Sequence, residues 1–372
     1  MKIVFVIKAL SSEGGGAERV LVEVASGLAR RGHSVTVVTS DAIGAVSFYP
    51  LDPWVRQINL GIGQVAHKTN AIEALKRVFA MRRVIANIKP DVVVGFMNSS
   101  YMLLFFALKG LQIPLIASEH VGPEYYETRP LQRFLSHFMP LVAEKIVVVT
   151  EQVKIKFPIK VHGVVSVIPN PVCFELGSRA DLCGATDSPK ILLAIGSLNE
   201  GKNHRGLIAA FHQIADAVPD WNLRIVGEGE LRAELDALIR ALHFEGRVQL
   251  SGATKEIWNE YLNAQLFVSS STYESFGLVV AEALIHGLPV VGFADCPGIN
   301  LLVRHNENGL LVDGEDRVHA LAKALESLML DTNERSRLGS APADWLVQQY
   351  DINYILDLWE QLLHDCIEPQ PC

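Results

Sequence analysis

Two glutamates frame the run Glu274-Ser-Phe-Gly-Leu-Val-Val-Ala-Glu282. An ionised carboxylate only accepts hydrogen bonds, and it has two oxygens to accept with. A pair of carboxylates therefore suits a polyol, whose hydroxyls donate in bidentate contacts. An apolar stretch, Leu266-Phe-Val-Ser-Ser-Ser271, leads into the run, and Gly287-Leu-Pro289 and Pro289-Val-Val-Gly-Phe293 follow it. That context predicts a strand, a loop bearing Glu274, a helix holding Glu282, and another strand. In an open α/β sheet, ligands bind where the carboxyl ends of strands face helix N-termini. The plainer alternative is a pair of solvated acids at a helix end.

Three further groups have chemistry in reach. The loop Ser11-Ser-Glu-Gly-Gly-Gly-Ala-Glu-Arg19 follows an apolar strand and opens a helix. Glycines such as Gly15 and Gly16 let a backbone approach a ligand closely, and free N–H groups at a helix start attract phosphate; a plain strand–helix turn would look the same. A dinucleotide fingerprint needs G-x-G-x-x-G, which neither this loop nor Gly227-Glu-Gly229 supplies. His120 ends the segment Ser118-Glu119-His120 at the carboxyl end of a strand, where an imidazole can bond a hydroxyl or carry a proton, or be a satisfied structural group. Lys202 closes Ile195-Gly-Ser-Leu-Asn-Glu-Gly-Lys202, where it either neutralises phosphate or is a surface lysine. The five cysteines show no Cys-x-x-Cys spacing and read as reduced thiols, so no metal is expected.

These residues need strands and helices to position them, and the sequence alternates the two throughout. Lys2–Leu10, Ser34–Ser40, Asp91–Met97, Ile113–Glu119, Lys145–Thr150 and Val164–Ile168 read as strands, Val/Ile-rich and nearly continuous, as parallel strands buried on both faces are. Helices are expected over Ala17–Arg30, Asn70–Asn87, Ser99–Lys109 and Leu131–Ala143. A second series follows: strands at Lys190–Gly196, Asn222–Val226, Val248–Gly252, Leu266–Ser270, Pro289–Phe293 and Gly309–Val312, separated by helices near 203–217, 230–242, 256–263 and 315–330. This pattern predicts two doubly wound α/β domains with right-handed crossovers. Their boundary is expected in Phe174–Pro189, which gives domains 1–175 and 176–350. Helices over Asp331–Val347 and Asp351–Asp365 end the pattern.

Taken together, the motifs resemble those of retaining glycosyltransferases of family 4, whose GT-B fold is two doubly wound, Rossmann-like domains with an interdomain cleft. The resemblance spans residues 1 to about 365 and is similar to that of bacterial enzymes building lipid-linked glycans. It implies catalytic roles for His120 and Glu274, with Glu274 on the donor sugar hydroxyls, Glu282 on the ribose and Lys202 on the leaving diphosphate. It also implies donor contacts from Gly15, Gly16, Ser197, Phe276, Gly277, Leu278 and Val279. Ser197 stands where the family usually has arginine, and Arg205 is a candidate to compensate. Residues 351–372 are expected to cross back to the first domain. The implied reaction moves a hexose or N-acetylhexosamine from a UDP-sugar to a saccharide acceptor linked to polyprenyl diphosphate, in bacterial surface glycan synthesis. It proceeds without metal or cofactor, by front-face attack assisted by the leaving phosphate. A nucleotide-sugar epimerase of the same fold and a non-catalytic nucleotide-sugar-binding protein remain as alternatives.

Charge adds a partner. Residues 1–175 carry 19 Lys and Arg against 13 Asp and Glu, a balance of +6; residues 176–372 carry 14 against 28, or −14. A basic half suggests an anionic partner, with nucleic acid and a lipid headgroup surface as the candidates; beside the resemblance to enzymes of lipid-linked glycans, the expected partner is an anionic membrane surface and not nucleic acid. The stretch 68–89 interleaves Lys76, Arg77, Arg82, Arg83 and Lys89 with Ile72, Leu75, Phe79, Met81 and Ile85 at near-helical spacing. It is either a membrane-surface helix or an ordinary helix with its apolar face in the core. No apolar run reaches the ~18 residues of a spanning helix. The expected location is cytoplasmic, peripheral at the inner face of the cytoplasmic membrane.

Overall fold

A computed structural model describes residues 1–11, 14–63, 70–122, 139–172, 178–184 and 188–367. The chain divides into two compact units, Met1–Pro171 with Tyr350–Cys372, and Val172–Gln349.

The first unit holds a parallel sheet of seven strands: β1 (Lys2–Val6), β2 (Ser34–Thr39), β3 (Arg56–Asn59), β4 (Val92–Phe96), β5 (Leu115–Glu119), β6 (Lys145–Val148) and β7 (Val165–Val167). Their spatial order is β3-β2-β1-β4-β5-β6-β7. The strands β4 and β5 are buried at every residue, which explains their unbroken apolar sequence. The edge strand β3 escaped the sequence pattern because it is four residues of Arg-Gln-Ile-Asn, paired on one side from Thr36 with Arg56 through Thr39 with Asn59. Of the helix expected over Leu131–Ala143, all but the end lies outside the described residues; Met139–Val142 is helical.

The helix Ile352–Ile367 packs within this unit, against the helix Gly16–Arg30. Gly27 permits the approach, since a Cβ there would stand 2.5 Å from Leu356 Cδ1. Arg31 donates to Asp357 and Glu360 at 2.6 Å each and to the Asn353 carbonyl at 2.9 Å. Trp359 is buried against Phe5 and Phe96, ring centroids 6.3 and 6.2 Å away.

The second unit repeats the plan with β8 (Lys190–Ile195), β9 (Trp221–Val226), β10 (Val248–Leu250), β11 (Leu266–Ser269), β12 (Val290–Phe293) and β13 (Gly309–Val312), in the order β10-β9-β8-β11-β12-β13. In each sheet the chain first winds to one side of its opening strand, then returns to the other side. The reversal falls between β1 and β4 in one unit and between β8 and β11 in the other. At such a point the loops leaving the two strands part in opposite directions and open a crevice at the carboxyl ends. The expected helix over Asp331–Val347 is two, Thr332–Gly339 and Asp344–Tyr350, parted at Ala341-Pro342-Ala343, where proline lacks the N–H a continuing helix needs.

Candidate functional site

In the second unit the crevice is lined by the loop after β8 and the loop after β11. The two are stitched together: Thr272 N–H donates to the Gly201 carbonyl at 3.0 Å, and Ser270 Oγ donates to the Lys202 carbonyl at 2.7 Å. Asn199 caps the short turn Glu200–Lys202 by accepting from Lys202 N–H at 3.2 Å. The stitching brings Lys202 and Glu274, 72 positions apart in sequence, into a direct ion pair between Nζ and Oε1. Ser271 Oγ donates to the same carboxylate oxygen at 2.8 Å. Both charged side chains are mostly but not wholly buried, so each remains within reach of a ligand.

Behind Glu274 the helix Leu278–Ile285 begins. Gly277 precedes it with φ +84°, a left-handed conformation that favours glycine, and a Cβ there would meet the Gly298 carbonyl at 3.0 Å. Phe276 is buried and fixes the turn, while Leu278 and Val279 are half-buried at the first helical turn. In this first turn Val280 N–H already donates to the Gly277 carbonyl at 2.9 Å, and the N–H groups of Leu278 and Val279 come before it at the helix start, where backbone N–H groups favour anions. Gly298 N–H donates to the Glu274 carbonyl at 2.8 Å, which ties the Glu274 loop to the next helix, Pro297–Leu302.

Glu282 is placed differently. It is fully buried, and its Oε2 accepts from the Tyr261 hydroxyl at 2.7 Å. Its backbone carbonyl accepts from the N–H of His286 at 3.1 Å and lies 2.8 Å from that residue's Nδ1. The structure brings Glu274 and Lys202 together and leaves Glu282 behind them, inside the helix packing. Ser197 is half-buried on the loop after β8. Arg205, the candidate to compensate for the absent arginine, pairs with Glu234 and, at 3.7 Å, with Glu200. The Gly227-Glu-Gly229 turn belongs to the same end of the sheet. A Cβ on Gly227 would lie 2.1 Å from the Gly196 carbonyl, so the loops after β8 and β9 pack backbone on backbone.

In the first unit, Gly15 and Gly16 open the helix after β1. A Cβ on Gly15 would lie 2.1 Å from Glu18 Oε2, so the glycine leaves room for that carboxylate to fold back. Burial raises the Glu18 carboxyl above the usual carboxylate range; its own backbone N–H opposes this and Asp41 adds to it. The fully buried Asp41 holds the loop in place, accepting from Leu10 N–H at 2.8 Å, Ser11 N–H at 3.3 Å and Ser11 Oγ at 2.5 Å. His120 follows β5, its Nε2 3.0 Å from Ser118 Oγ and its ring stacked on Phe96 at 4.8 Å. Burial lowers its imidazole to about 4, and a hydrogen bond with the Asn170 side chain opposes the shift. His204 is lowered to about 4 as well, by burial first and by Lys202 second.

Sequence reasoning passed over Ser271, Tyr261 and Asp41. The only sequence signal was position: Ser271 lies just past the end of β11, and Asp41 is an acid two residues past β2. Among the described residues, no three His, Cys, Asp or Glu converge as a metal would require.

Comparison with known proteins bears on both units. Residues 14–176 match the model of Glycosyltransferase Family 4, and residues 184–345 match that of Glycosyl transferases group 1. An uncharacterized glycosyltransferase of Haemophilus influenzae is 27% identical over 370 residues, covering 97% of this chain and 99% of its own. A GalNAc-α-(1→4)-GalNAc-α-(1→3)-diNAcBac-PP-undecaprenol α-1,4-N-acetyl-D-galactosaminyltransferase of Campylobacter jejuni is 28% identical over 367 residues, 98% of each chain. Among solved structures, sucrose-phosphate synthase from Thermosynechococcus elongatus superposes with a TM-score of 0.84 at 20% identity over 98% of both chains. Anabaena HepE, in complex with UDP and glucose, gives 0.76 at 19% identity over 98% of this chain and 99% of its own.

Proposed function

The chain belongs to the family 4 glycosyltransferases of GT-B fold, and from that premise we propose that it moves a hexose or N-acetylhexosamine from a UDP-sugar to a saccharide acceptor with retention of configuration. The observation that carries this reading is the pairing of Lys202 with Glu274 at the switch point of the second sheet, beside the N-terminus of the helix Leu278–Ile285, which no side chain caps. Such a crevice offers one cation and several N–H donors for a diphosphate, and one carboxylate for sugar hydroxyls. Lys202 and the N–H groups of Leu278 and Val279 hold the diphosphate. Glu274 leaves the lysine and orients the sugar. Glu282 is the candidate for the ribose hydroxyls, which requires Tyr261 to share or yield its carboxylate.

In the proposed transfer the acceptor oxygen bonds to the anomeric carbon on the face from which the diphosphate departs, and its proton passes to a diphosphate oxygen. Stabilising the departing charge is the largest contribution such a site makes. No metal is invoked, because the cation and dipoles of the crevice supply the positive charge.

The acceptor is proposed to be linked to polyprenyl diphosphate at an anionic membrane surface, in bacterial surface glycan synthesis, as the printed activity of the Campylobacter jejuni relative suggests. Support comes from the first unit. Of the twelve large hydrophobic residues exposed among the described residues, all but Leu330 lie there. On the helix Ala71–Ile88, Met81 and Ile85 face the core, while Ile72, Leu75 and Phe79 are 68%, 57% and 63% exposed. Lys76 and Arg83 are exposed with them. Arg77 is buried, and Arg82 donates to the carbonyls of Ala107 and Lys109 at 2.8 Å, so these two serve the fold and not a surface. No helix among the described residues is long and apolar enough to cross a membrane.

Thermal stabilisation by a panel of UDP-, ADP- and GDP-sugars tests the donor, since a ligand at 100 times its dissociation constant adds ~2.7 kcal/mol. No shift with any UDP compound would end the reading. Turnover in excess EDTA tests the metal-free scheme; loss restored by magnesium would refute it.

A further inference from the structure

Lys202 owes its place to a turn that doubles back on itself. The turn leaves β8 at Gly196 and Ser197 and runs into the helix His204–Ile214. A Cβ on Gly196 would stand 3.1 Å from Lys202 Cδ and 3.2 Å from Cε, so the lysine stem lies over that glycine. The rest of the turn is fastened to neighbouring loops. The carbonyls of Gly201 and Lys202 accept from the loop after β11, and Leu198 N–H donates to the Glu228 carbonyl at 2.9 Å. Gly196 N–H donates to the Val226 carbonyl at 3.0 Å, which continues the β8–β9 ladder. The backbone under the lysine stem has a further fastening from inside the fold: the His204 ring hydrogen-bonds with the backbone of Gly196 and Ser197.

The chain is bent to make this contact. Asn203 takes φ +50°, a left-handed conformation that asparagine tolerates better than most residues, and its side-chain oxygen accepts from Gly206 N–H at 3.2 Å. Lys202, before the bend, keeps its ammonium partly exposed and meets Glu274. His204, after the bend, is 4% exposed. The two side chains remain close enough for the lysine to act on the imidazole.

His204 acts through its hydrogen bonds and not through charge. Burial first and Lys202 second lower its imidazole to about 4, so it is neutral at physiological pH. A neutral imidazole still has one N–H to give and one lone pair to accept with. An apolar side chain would fill the same space without the cost of burying a polar ring. The group that acts on the ligand is the lysine above, and its reach is set by the backbone that carries its stem. A misplacement of about 1 Å in such a group can cost on the order of 10²-fold in rate.

We propose that His204 is a positioning residue for Lys202: it pins Gly196 and Ser197 to the start of the helix His204–Ile214 and so holds the lysine stem over Gly196, where the ammonium meets Glu274 and the donor diphosphate. This rests on the reading of Lys202 as the diphosphate's cation and gives a role to a residue that touches no substrate.

UDP affinity is measured by calorimetry for the parent, His204→Leu, His204→Gln and Lys202→Met, and for His204→Leu in the Lys202→Met background. Glutamine can still donate and accept, so His204→Gln should stay within about threefold of the parent. His204→Leu should weaken UDP by about fivefold or more, and by less than about twofold once Lys202 is gone, because a residue that acts through another has no separate effect. An equal loss in both backgrounds, or no loss in either, overturns the proposal. A ligand-free arm reads the lysine directly. Acetylation of Lys202 by an amine-selective reagent, followed by mass spectrometry, should quicken in His204→Leu and not in His204→Gln, with Lys190, paired with Asp220, unchanged in both. Equal quickening at Lys190 would mean general loosening, and no change at Lys202 would mean that the lysine stands without His204; either overturns the proposal. If His204→Leu does not fold, His204→Asn replaces it, carrying the same amide as glutamine on a shorter stem; behaviour equal to His204→Gln would then overturn the proposal. If the parent binds no UDP, the donor reading falls, and the acetylation arm still decides this one.

Discussion

Lys202 and Glu274 neutralise each other when no ligand is present. In the proposed transfer a diphosphate entering the crevice would compete with Glu274 for the lysine and free the carboxylate for the sugar. Glu274→Gln keeps the shape and removes the competing charge. It should abolish transfer and leave UDP affinity unchanged or up to about tenfold tighter, a gain of ~1.4 kcal/mol; a tenfold loss by calorimetry would show that no competition exists. Lys202→Met should weaken UDP by about 1.5–3 kcal/mol, the range for a hydrogen bond to a charged group. A second prediction concerns His120 and His204, both lowered from 6.5 to about 4 chiefly by burial. The unfolded chain protonates them below about 6.5 while the folded chain does not. Their stabilisation is therefore present above that pH and lost as pH falls toward 4, at up to about 1.4 kcal/mol per pH unit for each. Urea unfolding at pH 7 and pH 5 should show a shallower acid loss for His204→Gln than for the parent. An equal loss in both would mean that His204 is not buried neutral.

At the scale of elements, glycine marks the places where backbones touch. The pattern Gly227-Glu-Gly229 is not a phosphate fingerprint but a packing requirement: Gly227 faces the Gly196 carbonyl, and a Cβ on Gly229 would stand 2.4 Å from the Leu198 carbonyl. Likewise Gly27 admits the terminal helix. Gly27→Val should force Leu356 and the helix Ile352–Ile367 outward and cost about 1–3 kcal/mol, the usual range for overpacking. Chemical denaturation would measure it, and a cost below about 0.5 kcal/mol would mean that the helix yields freely. The strands were legible because parallel strands buried on both faces leave continuous Val/Ile runs; β3 was not, because an edge strand of polar residues has no such constraint. The short helix Pro297–Leu302 also gave no periodic signal, being six residues long.

For the whole molecule, the proposed membrane surface combines the basic first half with its exposed apolar stripe. Ile72→Ser, Leu75→Ser and Phe79→Ser in one variant, and Lys76→Gln with Arg83→Gln in another, should each reduce sedimentation with anionic vesicles. Each basic residue near such a surface is worth about 1 kcal/mol and is screened by salt, while each apolar side chain that inserts contributes up to about 1.5–3 kcal/mol and is not. The salt dependence should therefore persist in the first variant and fade in the second. Vesicle binding equal to the parent in both would mean that the stripe meets no membrane. The sequence alone determined the alternation of strand and helix, hence the two wound sheets, because burial on both faces and helix periodicity are written locally. It also offered Glu274, Lys202 and the glycine loop as candidates for binding, since they sit at strand ends, where ligands bind. Only the tertiary structure decided that Lys202 meets Glu274, that Glu282 is buried against Tyr261, and that Arg205 is engaged by Glu234 and Glu200. It alone separated Arg77 and Arg82, which serve the fold, from Lys76 and Arg83, which face solvent. The reason is physical: residue type and spacing set which face a side chain occupies, but its partner comes from whatever the winding of the sheet brings to that face.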